Sequence, residues 1–261
     1  MFLIVSKITA FDMTCLYKNT WDGYCCISVS TTILRNNEQI GEIYGTHLGN
    51  RTLSDIKCLS LHYSNIYYLT NSFFSEFENM KNLVIFSSSL TKLIHSNFEG
   101  ANELESITIT NNIISAIYGY TFSNAKSLQI LDLKMNLILI LDRDAFKELR
   151  NLTTLDLSFN QIKIIYRKTF IDLKKLKKLS LSYNQLTFVN LDLLKHNLYL
   201  EEVFLGGNKI ASIYPNSFEK LIFLDVLYLE SNICIDKTFK NVSQKQLDNA
   251  LKSCKSPQKL E

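Results

Sequence analysis

Residues 152–162, LTTLDLSFNQI, decide the fold of this 261-residue chain. They follow the pattern L-x-x-L-x-L-x-x-N-x-I, which returns 24 residues earlier in LQILDLKMNLI at 128–138 and 24 residues later in LKKLSLSYNQL at 176–186. Further copies complete eight registers without an insertion, the first two weaker than the rest, starting at 56, 80, 104, 128, 152, 176, 200 and 224. A fixed period of this length predicts units that stack on their neighbours. We name the units coil 1 to coil 8 and number the positions within each coil from 1 to 24.

Each position that recurs among the repeats has a physical explanation. Leu or Ile at positions 1, 4 and 6 points inward from a short strand and its approach. Position 9 is Asn in coils 3 to 8, where a buried amide can bond the backbone groups that leave the strand. This column comprises Asn112, Asn136, Asn160, Asn184, Asn208 and Asn232. Coils 1 and 2 carry Ser64 and Ser88 there, so we expect that end to be looser or covered by a cap.

A second column is aromatic and lies late in each coil. We expect its side chains to stack along the convex side of the core, as ordinary core packing rather than as a ligand site. The column contains Phe74, Phe98, Phe122, Phe146, Phe170, Leu194 and Phe218.

Composition places the chain among ordered globular proteins. Hydrophobic residues make up 46% and charged residues 20%, and the net charge of +3 is too small to indicate nucleic acid or an anionic membrane as the partner. No run of 18 apolar residues exists, so we expect no integral membrane segment. The six cysteines cluster near the two ends, which indicates disulfide-bonded caps and an oxidising compartment rather than buried free thiols.

We divide the chain at these caps. Residues 1–14 are interpreted as the remnant of a signal peptide or an atypical one, 15–55 as a small β-rich cap, and 56–233 as the eight coils. Residues 234–254 are expected to form a capping helix with Ser243 as its N-cap, and 255–261 a disordered tail. We pair Cys234 with Cys254. Among the other four cysteines we prefer Cys15–Cys26 and Cys25–Cys58, although the sequence leaves the other connectivities open.

With the repeats and caps placed, residues 56–254 resemble extracellular leucine-rich-repeat proteins of the typical 24-residue subfamily. More narrowly, the caps resemble those of secreted repeat proteins of flies and mosquitoes, through Cys15 with Tyr24-Cys25-Cys26, through Gly45-Thr46-His47-Leu48, and through Asn232-Ile233-Cys234-Ile235 leading to Cys254. The resemblance implies an α/β solenoid: a right-handed, curved superhelix with a parallel β-sheet on its concave side, an irregular convex side and disulfide-bonded caps. It also implies extracellular protein binding, in innate immunity or in cell-surface recognition.

Strand alternation sends positions 3, 5 and 7 to the solvent side, together with position 8 at the strand end. Exposed aromatic side chains there indicate an interaction site. Phe204 and Tyr228 are neighbours at position 5, with Val226 beside them, and Phe159 and Tyr183 are neighbours at position 8. The alternative is that these residues are ordinary strand formers or are covered by the C-terminal cap.

Charged residues follow the same columns. Asp132 and Asp156 stack at position 5 and are expected to face Lys134 and Lys178. An aspartate pair one strand spacing apart could in principle act in catalysis, but an open, wet surface offers nothing to shift a pKa. The four histidines lie in different coils, and no metal or phosphate motif is present, so we predict neither an enzyme nor a cofactor.

Three glycosylation sequons, at Asn50, Asn151 and Asn241, favour secretion. We therefore predict a secreted recognition protein that binds a protein, or a glycan, on its concave face, alone or as an oligomer. The alternatives are a structural or adhesive matrix protein and the ectodomain of a longer receptor.

Overall fold

The computed structural model describes residues 10–29, 32–33, 39–70, 73–190, 192–214 and 216–254. Residues 1–9 of the expected signal segment and the expected tail at 255–261 lie outside this range. The described part of the N-terminal cap contains the strands β1 (Ala10–Thr14), β2 (Leu16–Thr20), β3 (Gly23–Val29), β4 (Thr32–Ile33) and β5 (Gln39–Tyr44).

Short strands then alternate with turns along the rest of the chain. They are β6 (Cys58–His62), β7 (Asn65–Ile66), β8 (Asn82–Phe86), β9 (Ser106–Thr110), β10 (Ala116–Ile117), β11 (Ile130–Asp132), β12 (Ile140–Leu141), β13 (Thr154–Asp156), β14 (Lys178–Ser180), β15 (Phe188–Val189), β16 (Glu202–Phe204), β17 (Ser212–Ile213), β18 (Val226–Tyr228) and β19 (Thr238–Lys240). The described α-helices are α1 (Phe73–Glu76) and α2 (Gln244–Ala250), and 3-10 turns cover Leu53–Asp55, His95–Phe98 and Leu251–Ser253.

One 11-stranded sheet runs the length of the molecule, in the order β2, β3, β6, β8, β9, β11, β13, β14, β16, β18, β19. Its eight coil strands pair in parallel and in register at the 24-residue period, as Ile130 pairs with Thr154 and Thr154 with Lys178. The cap strand β3 joins this parallel run directly, because Cys25 pairs with Cys58. The chain is therefore a leucine-rich-repeat solenoid with a parallel sheet on one side and short strands, turns and 3-10 segments on the other.

The core follows the apolar columns of the sequence. In coil 5, Leu152, Leu155 and Leu157 are completely buried. Because every coil presents the same positions, these side chains form one continuous core from the N-terminal to the C-terminal cap. The late aromatic column is buried behind them, with ring centroids 5.1 Å apart between Phe98 and Phe122.

The buried Asn column bonds one coil to the coil before it. In coil 5, the Asn160 side-chain oxygen accepts from Ile138 N at 3.0 Å, and its amide donates to Leu133 O at 3.1 Å. The same amide donates to Leu157 O and Ser158 O of its own coil. Every Asn of the column uses its oxygen as acceptor and its amide as donor in this way, which is the pairing that the turn after each strand requires.

Position 8, just before the Asn, has a left-handed backbone in all eight coils. Its φ is 54° at Phe159, 54° at Tyr183 and 65° at Gly207. The other residues of the column are Tyr63, Ser87, Asn111, Met135 and Ser231, with φ between 48° and 57°. The strands of coils 4 to 8 end at position 5, so this conformation turns the chain away from the sheet.

Two features of the caps add to the expected elements. Strand β1 pairs with β5, and Met13 is buried in the core, so residues 10–14 pack with the N-terminal cap, while the division of the chain at residue 14 remains a prediction. The region 234–254 is more than a capping helix, because β19 pairs antiparallel with β18 before α2 begins. Ser243 is the N-cap of α2, and its hydroxyl accepts from Gln246 N.

Disulfides join both caps to the solenoid. Cys15 bonds Cys26 within the N-terminal cap, and Cys25 bonds Cys58 of the first coil strand. Cys234 bonds Cys254, with their Cα atoms 5.0 Å apart, and holds α2 against the last coil. Leu247 of α2 is buried there, so the helix closes the core that coil 8 would otherwise expose.

Candidate recognition surface

Two pairs of aromatic side chains lie on the outer face of the parallel sheet. Phe159 and Tyr183 stack with ring centroids 4.4 Å apart and ring planes 13° from parallel, and about half of each side chain is exposed. Phe204 and Tyr228 are register partners on β16 and β18, with centroids 6.4 Å apart, and both are half-buried. Val226, also half-buried, precedes Tyr228 by two residues on the same face.

Two glycines in coil 7 bring the pairs together. A Cβ atom at Gly206 would overlap the ring of Tyr228, and one at Gly207 would lie 2.6 Å from Cδ1 of Tyr183. Both tyrosine rings therefore lie over a stretch of backbone that has no side chains of its own. Phe159, Tyr183, Tyr228 and Phe204 consequently form one continuous surface across coils 5 to 8, which we call the aromatic strip.

The C-terminal cap extends the sheet beside the aromatic strip and leaves its face open. Tyr228 pairs with Thr238 of β19, so the cap strand lies at the edge of the sheet rather than over the ring. Burial, and then a hydrogen bond to the Glu230 carboxylate and the nearby Tyr183, raise the pKa of the Tyr228 phenol. Thr238 donates to the same carboxylate at 2.7 Å, which holds Glu230 beside the ring.

The predicted acidic pair forms, but only one of the two predicted lysines joins it. Asp132 and Asp156 are register partners on β11 and β13, and Lys134 Nζ lies 3.1 Å from Asp132. The expectation that this surface offers nothing to shift a pKa is wrong for Asp132, because its burial, together with the charge of Asp156, raises its pKa despite the lysine. Asp156 accepts from the backbone and hydroxyl of Ser158.

The prediction that Lys178 faces the aspartates is wrong. Its ammonium group lies 2.7 Å from Glu202 of the next coil and 5.0 Å from the ring centroid of Phe204. Glu202 is the direct register partner of Lys178, so it offers a closer opposite charge than position 5 of the preceding coil. Lys178 therefore covers one end of the aromatic strip.

The expectation that position 7 faces solvent is also wrong in several coils. Thr110, Ser158 and Ser182 are at most 7% exposed, and Gly206 is buried. In coils 5 to 7 position 7 lies beyond the strand and carries the small residues Ser158, Ser182 and Gly206, whereas Lys134 and Glu230 at this position in coils 4 and 8 stay partly exposed. The outer face is thus formed mainly by positions 3, 5 and 8.

A second exposed apolar surface escaped the sequence analysis. Leu198, Tyr199, Ile222 and Phe223 lie on the turns that enter β16 and β18, and each is 46% to 80% exposed. The rings of Tyr199 and Phe223 stack 6.1 Å apart. We call these four residues the edge patch. The same two positions in the preceding coils carry polar residues, such as Lys174 and Lys175, and this contrast within a column could have revealed the patch.

The three sequons lie in different surroundings. Asn50 and Asn241 are exposed on the caps. Asn151 is half-buried at the end of coil 4, where its amide donates to Lys126 O at 3.0 Å and its oxygen accepts from Lys175 Nζ at 2.8 Å. Their modification remains a prediction.

The part of the chain that the structure describes has no helix long and apolar enough to cross a membrane. Nor does it contain a group of three or more His, Cys, Asp or Glu side chains arranged to hold a metal ion.

Solved structures similar to this chain share its fold at 20% to 23% identity. The mouse RP105/MD-1 complex matches with a TM-score of 0.64 and 20% identity, over 69% of this chain and 31% of that chain. A leucine-rich-repeat protein of Leptospira interrogans gives 0.60 and 23%, over 76% and 54%. The TLR13–ssRNA13 complex gives 0.58 and 21%, over 77% and 37%. The chain thus spans between about a third and half of the length of these proteins.

Sequence comparison identifies the family to which the repeats belong. Among curated proteins no significant match was found. The profile of the family described as Leucine rich repeat matches residues 78–138, 102–162, 127–186 and 174–233, which together span more than half of the chain. With the eight in-register coil strands and the buried Asn column, this match shows that the chain belongs to the leucine-rich-repeat family.

Proposed function

We propose that this chain is an extracellular recognition module that binds a protein ligand on the sheet face of its solenoid, without catalysing a reaction. The eight coils at 56–233 supply the binding surface, and the two disulfide-bonded caps close the core at either end. The single observation that carries the proposal is the aromatic strip, because four large rings form a continuous, partly exposed surface on the outer face of the sheet.

The exposure of these rings favours binding over a structural role. A core-facing ring would be buried like Phe122 or Phe170, whereas Phe159 and Tyr183 expose about half of their surface. Aromatic side chains dominate the binding energy of protein interfaces, since they bury large areas at a small entropy cost. A cluster of them on an exposed sheet is therefore a site where a partner can gain affinity.

The charge of this face favours protein over nucleic acid. The complexes noted above contain a protein, MD-1, in one case and an RNA, ssRNA13, in another. Here Asp132, Asp156, Glu202 and Glu230 share the face with the rings. Carboxylates repel a phosphate backbone, which needs neutralisation by Lys and Arg.

The disulfides support an extracellular location. All six cysteines are paired, and such bonds persist in oxidising compartments. The exposed sequons at Asn50 and Asn241 are consistent with passage through the secretory pathway. More specifically, we propose a role in innate immunity or cell-surface signalling.

The test compares two double variants. Immobilised wild-type protein, Phe204→Ala/Tyr228→Ala and Tyr199→Ala/Phe223→Ala are used to capture partners from conditioned medium, and the bound proteins are identified by mass spectrometry. Each double variant removes two rings from an exposed surface, so the edge-patch variant is the matched control. We expect only the first variant to lose its partners. Unchanged capture by Phe204→Ala/Tyr228→Ala would remove the aromatic strip as the binding surface.

The edge patch favours a second candidate, an adhesive or matrix component that associates with itself. Its four apolar side chains lie outside the sheet face, so they could pair two copies while leaving the aromatic strip open. Sedimentation velocity of the wild type and of Tyr199→Ala/Phe223→Ala tests this directly. A concentration-dependent dimer that the variant abolishes supports this candidate, and a monomer at all concentrations eliminates it.

A further inference from the structure

The coil strands present an acidic outer face although the chain is basic. At the outward positions of the eight coils, four carboxylates (Asp132, Asp156, Glu202 and Glu230) stand against two lysines, Lys134 and Lys178. This leaves a formal charge of −2 on the coil strands of a chain whose net charge is +3, while the cap strands at the two ends of the sheet add Lys18 and Lys240 on the same side. Charge complementarity therefore indicates a ligand that carries positive charge on the contacting surface.

Two of the four carboxylates are already neutralised within the protein. Lys134 lies 3.1 Å from Asp132, and Lys178 lies 2.7 Å from Glu202. Asp156 and Glu230 accept hydrogen bonds from neutral groups, Ser158 and Thr238. Within the described parts of the chain, neither has a Lys, Arg or His within ion-pairing distance.

These two carboxylates flank the aromatic strip. Asp156 belongs to coil 5, three residues before Phe159, and Glu230 belongs to coil 8, two residues after Tyr228. Three strand spacings separate the coils, which is about 14 Å across the sheet. The rings of Phe159, Tyr183 and Tyr228 lie between the two charges.

One cationic side chain of the protein, Lys178, already contacts both a ring and a carboxylate on this surface. Lys178 Nζ lies 5.0 Å from the ring centroid of Phe204 while it pairs with Glu202, so one ring and one carboxylate already hold an ammonium group together. The combination of a ring face and a carboxylate is favourable because both interact with positive charge. Tyr228 with Glu230 repeats this combination, and Asp156 lies on the same coil as Phe159, three residues before it, but neither carboxylate has a cation of its own.

From this pattern, and on the basis of the proposed function, we infer that the aromatic strip binds an extended protein segment through two cationic side chains, one beside Asp156 and one beside Glu230. An extended chain advances about 3.3 Å per residue, so side chains about four residues apart span the distance between the two carboxylates. Arginine fits better than lysine, because a planar guanidinium can lie on a ring while it donates to a carboxylate.

The probe for this inference is the peptide Gly-Arg-Gly-Ser-Gly-Arg-Gly, compared with the same peptide carrying citrulline for each arginine. Citrulline keeps the shape and most donors but removes the charge. Binding is measured from the chemical shifts of the Tyr and Phe ring resonances. We expect the arginine peptide to bind at least about tenfold more tightly than the citrulline peptide. Equal binding of the two peptides, or no saturable shift up to about 10 mM peptide, would overturn the inference.

Three charge variants locate the site. Asp156→Asn and Glu230→Gln are each expected to weaken the arginine peptide about fivefold or more, and the citrulline peptide hardly at all. Glu219→Gln removes the same charge from an exposed site away from the sheet face, so it should leave both affinities unchanged. Equal effects of all three variants would mean that only the net charge matters, and the inference would fail.

Failure of this inference can be distinguished from failure of the proposed function. If partner capture needs Phe204 and Tyr228 but survives Asp156→Asn/Glu230→Gln, the recognition surface stands and the cationic ligand does not. If capture is indifferent to both double variants, the proposed function falls as well.

Discussion

The Asn column makes a quantitative prediction about Asn160→Ala. The Asn160 side chain forms four hydrogen bonds, to Ile138 N at 3.0 Å and to three backbone carbonyls at 3.1 Å. It is only 7% exposed, so water cannot readily replace the amide. The substitution removes all four bonds without placing a new group in the turn.

The four backbone groups that bond to Asn160 do not lose equal amounts of hydrogen bonding in the variant. Leu133 O, Leu157 O and Ser158 O keep a second donor, from Asn136, Asn184 and Met135 N respectively. Ile138 N–H has no other acceptor in the described chain, and an unsatisfied buried donor costs about 1–3 kcal/mol. Adding a few tenths of a kcal/mol for each weakened carbonyl, we expect Asn160→Ala to lower the free energy of unfolding by about 3 kcal/mol.

The matched control is Asn232→Ala in the last coil. Asn232 makes the same set of bonds, to Ile210 N, Leu205 O, Leu229 O and Glu230 O, but it is partly exposed. Water can satisfy Ile210 N there, so we expect a loss of about 1 kcal/mol. Urea unfolding followed by circular dichroism gives both values from the shift in midpoint at an unchanged slope.

The two variants remove the same number of bonds and differ mainly in burial, although Leu229 O, unlike Leu157 O, has no second donor in the described chain. If both variants lose the same stability, burial does not determine the cost of removing the amide. If Asn160→Ala loses less than about 1 kcal/mol, the column does not stabilise the stacking of coils, and its Asn residues are explained only by their tolerance of turn conformations.

Three further predictions concern the strip and the caps. Gly206→Ala places a methyl group in the ring of Tyr228 and 3.0 Å from Glu230 O; we expect partner capture to weaken and the urea midpoint to fall, and unchanged capture would show that Tyr228 need not lie over coil 7. Cys234→Ser/Cys254→Ser opens a bond across 20 residues and should cost about 3 kcal/mol of unfolding free energy, whereas an unaltered midpoint would mean that α2 closes the core unaided. Asn241→Gln should remove one glycan from protein secreted by eukaryotic cells, as a mass difference, and an unchanged mass would show that the exposed sequon is unused.

The sequence predicted the solenoid because its constraints repeat. A strand that buries positions 4 and 6 and a turn that needs Asn at position 9 leave the same pattern in each coil, so the pattern at 152–162 can be checked seven times within one chain. The caps occur once each, and this is why their details were missed. Strand β19 is only three residues long, and its pairing with β18 depends on a chain reversal through Cys234 that no local pattern predicts.

The aromatic residues of the site were predictable for the same reason, since each occupies an outward column. Their arrangement was not. Alternation alone gives two separate pairs, Phe159 with Tyr183 and Phe204 with Tyr228, and it sends Lys178 toward the aspartates. Side-chain direction depends on the register partner, as for Lys178 with Glu202, and on the free space left by neighbours. The repeat pattern alone gives neither the influence of the register partner nor the free space between side chains.

Gly206 and Gly207 show how a departure from the repeat can create a site. Glycine destabilises an ordinary strand end, because it adds backbone entropy and removes a side chain that could pack. At position 8 the left-handed backbone offsets part of this cost, since Gly207 adopts its φ of 65° without the steric penalty of its seven counterparts. At position 7 no such benefit applies. Because Gly206 has no side chain, it leaves the space that the ring of Tyr228 occupies. A residue that weakens the scaffold while widening an exposed aromatic surface is better explained by binding than by folding.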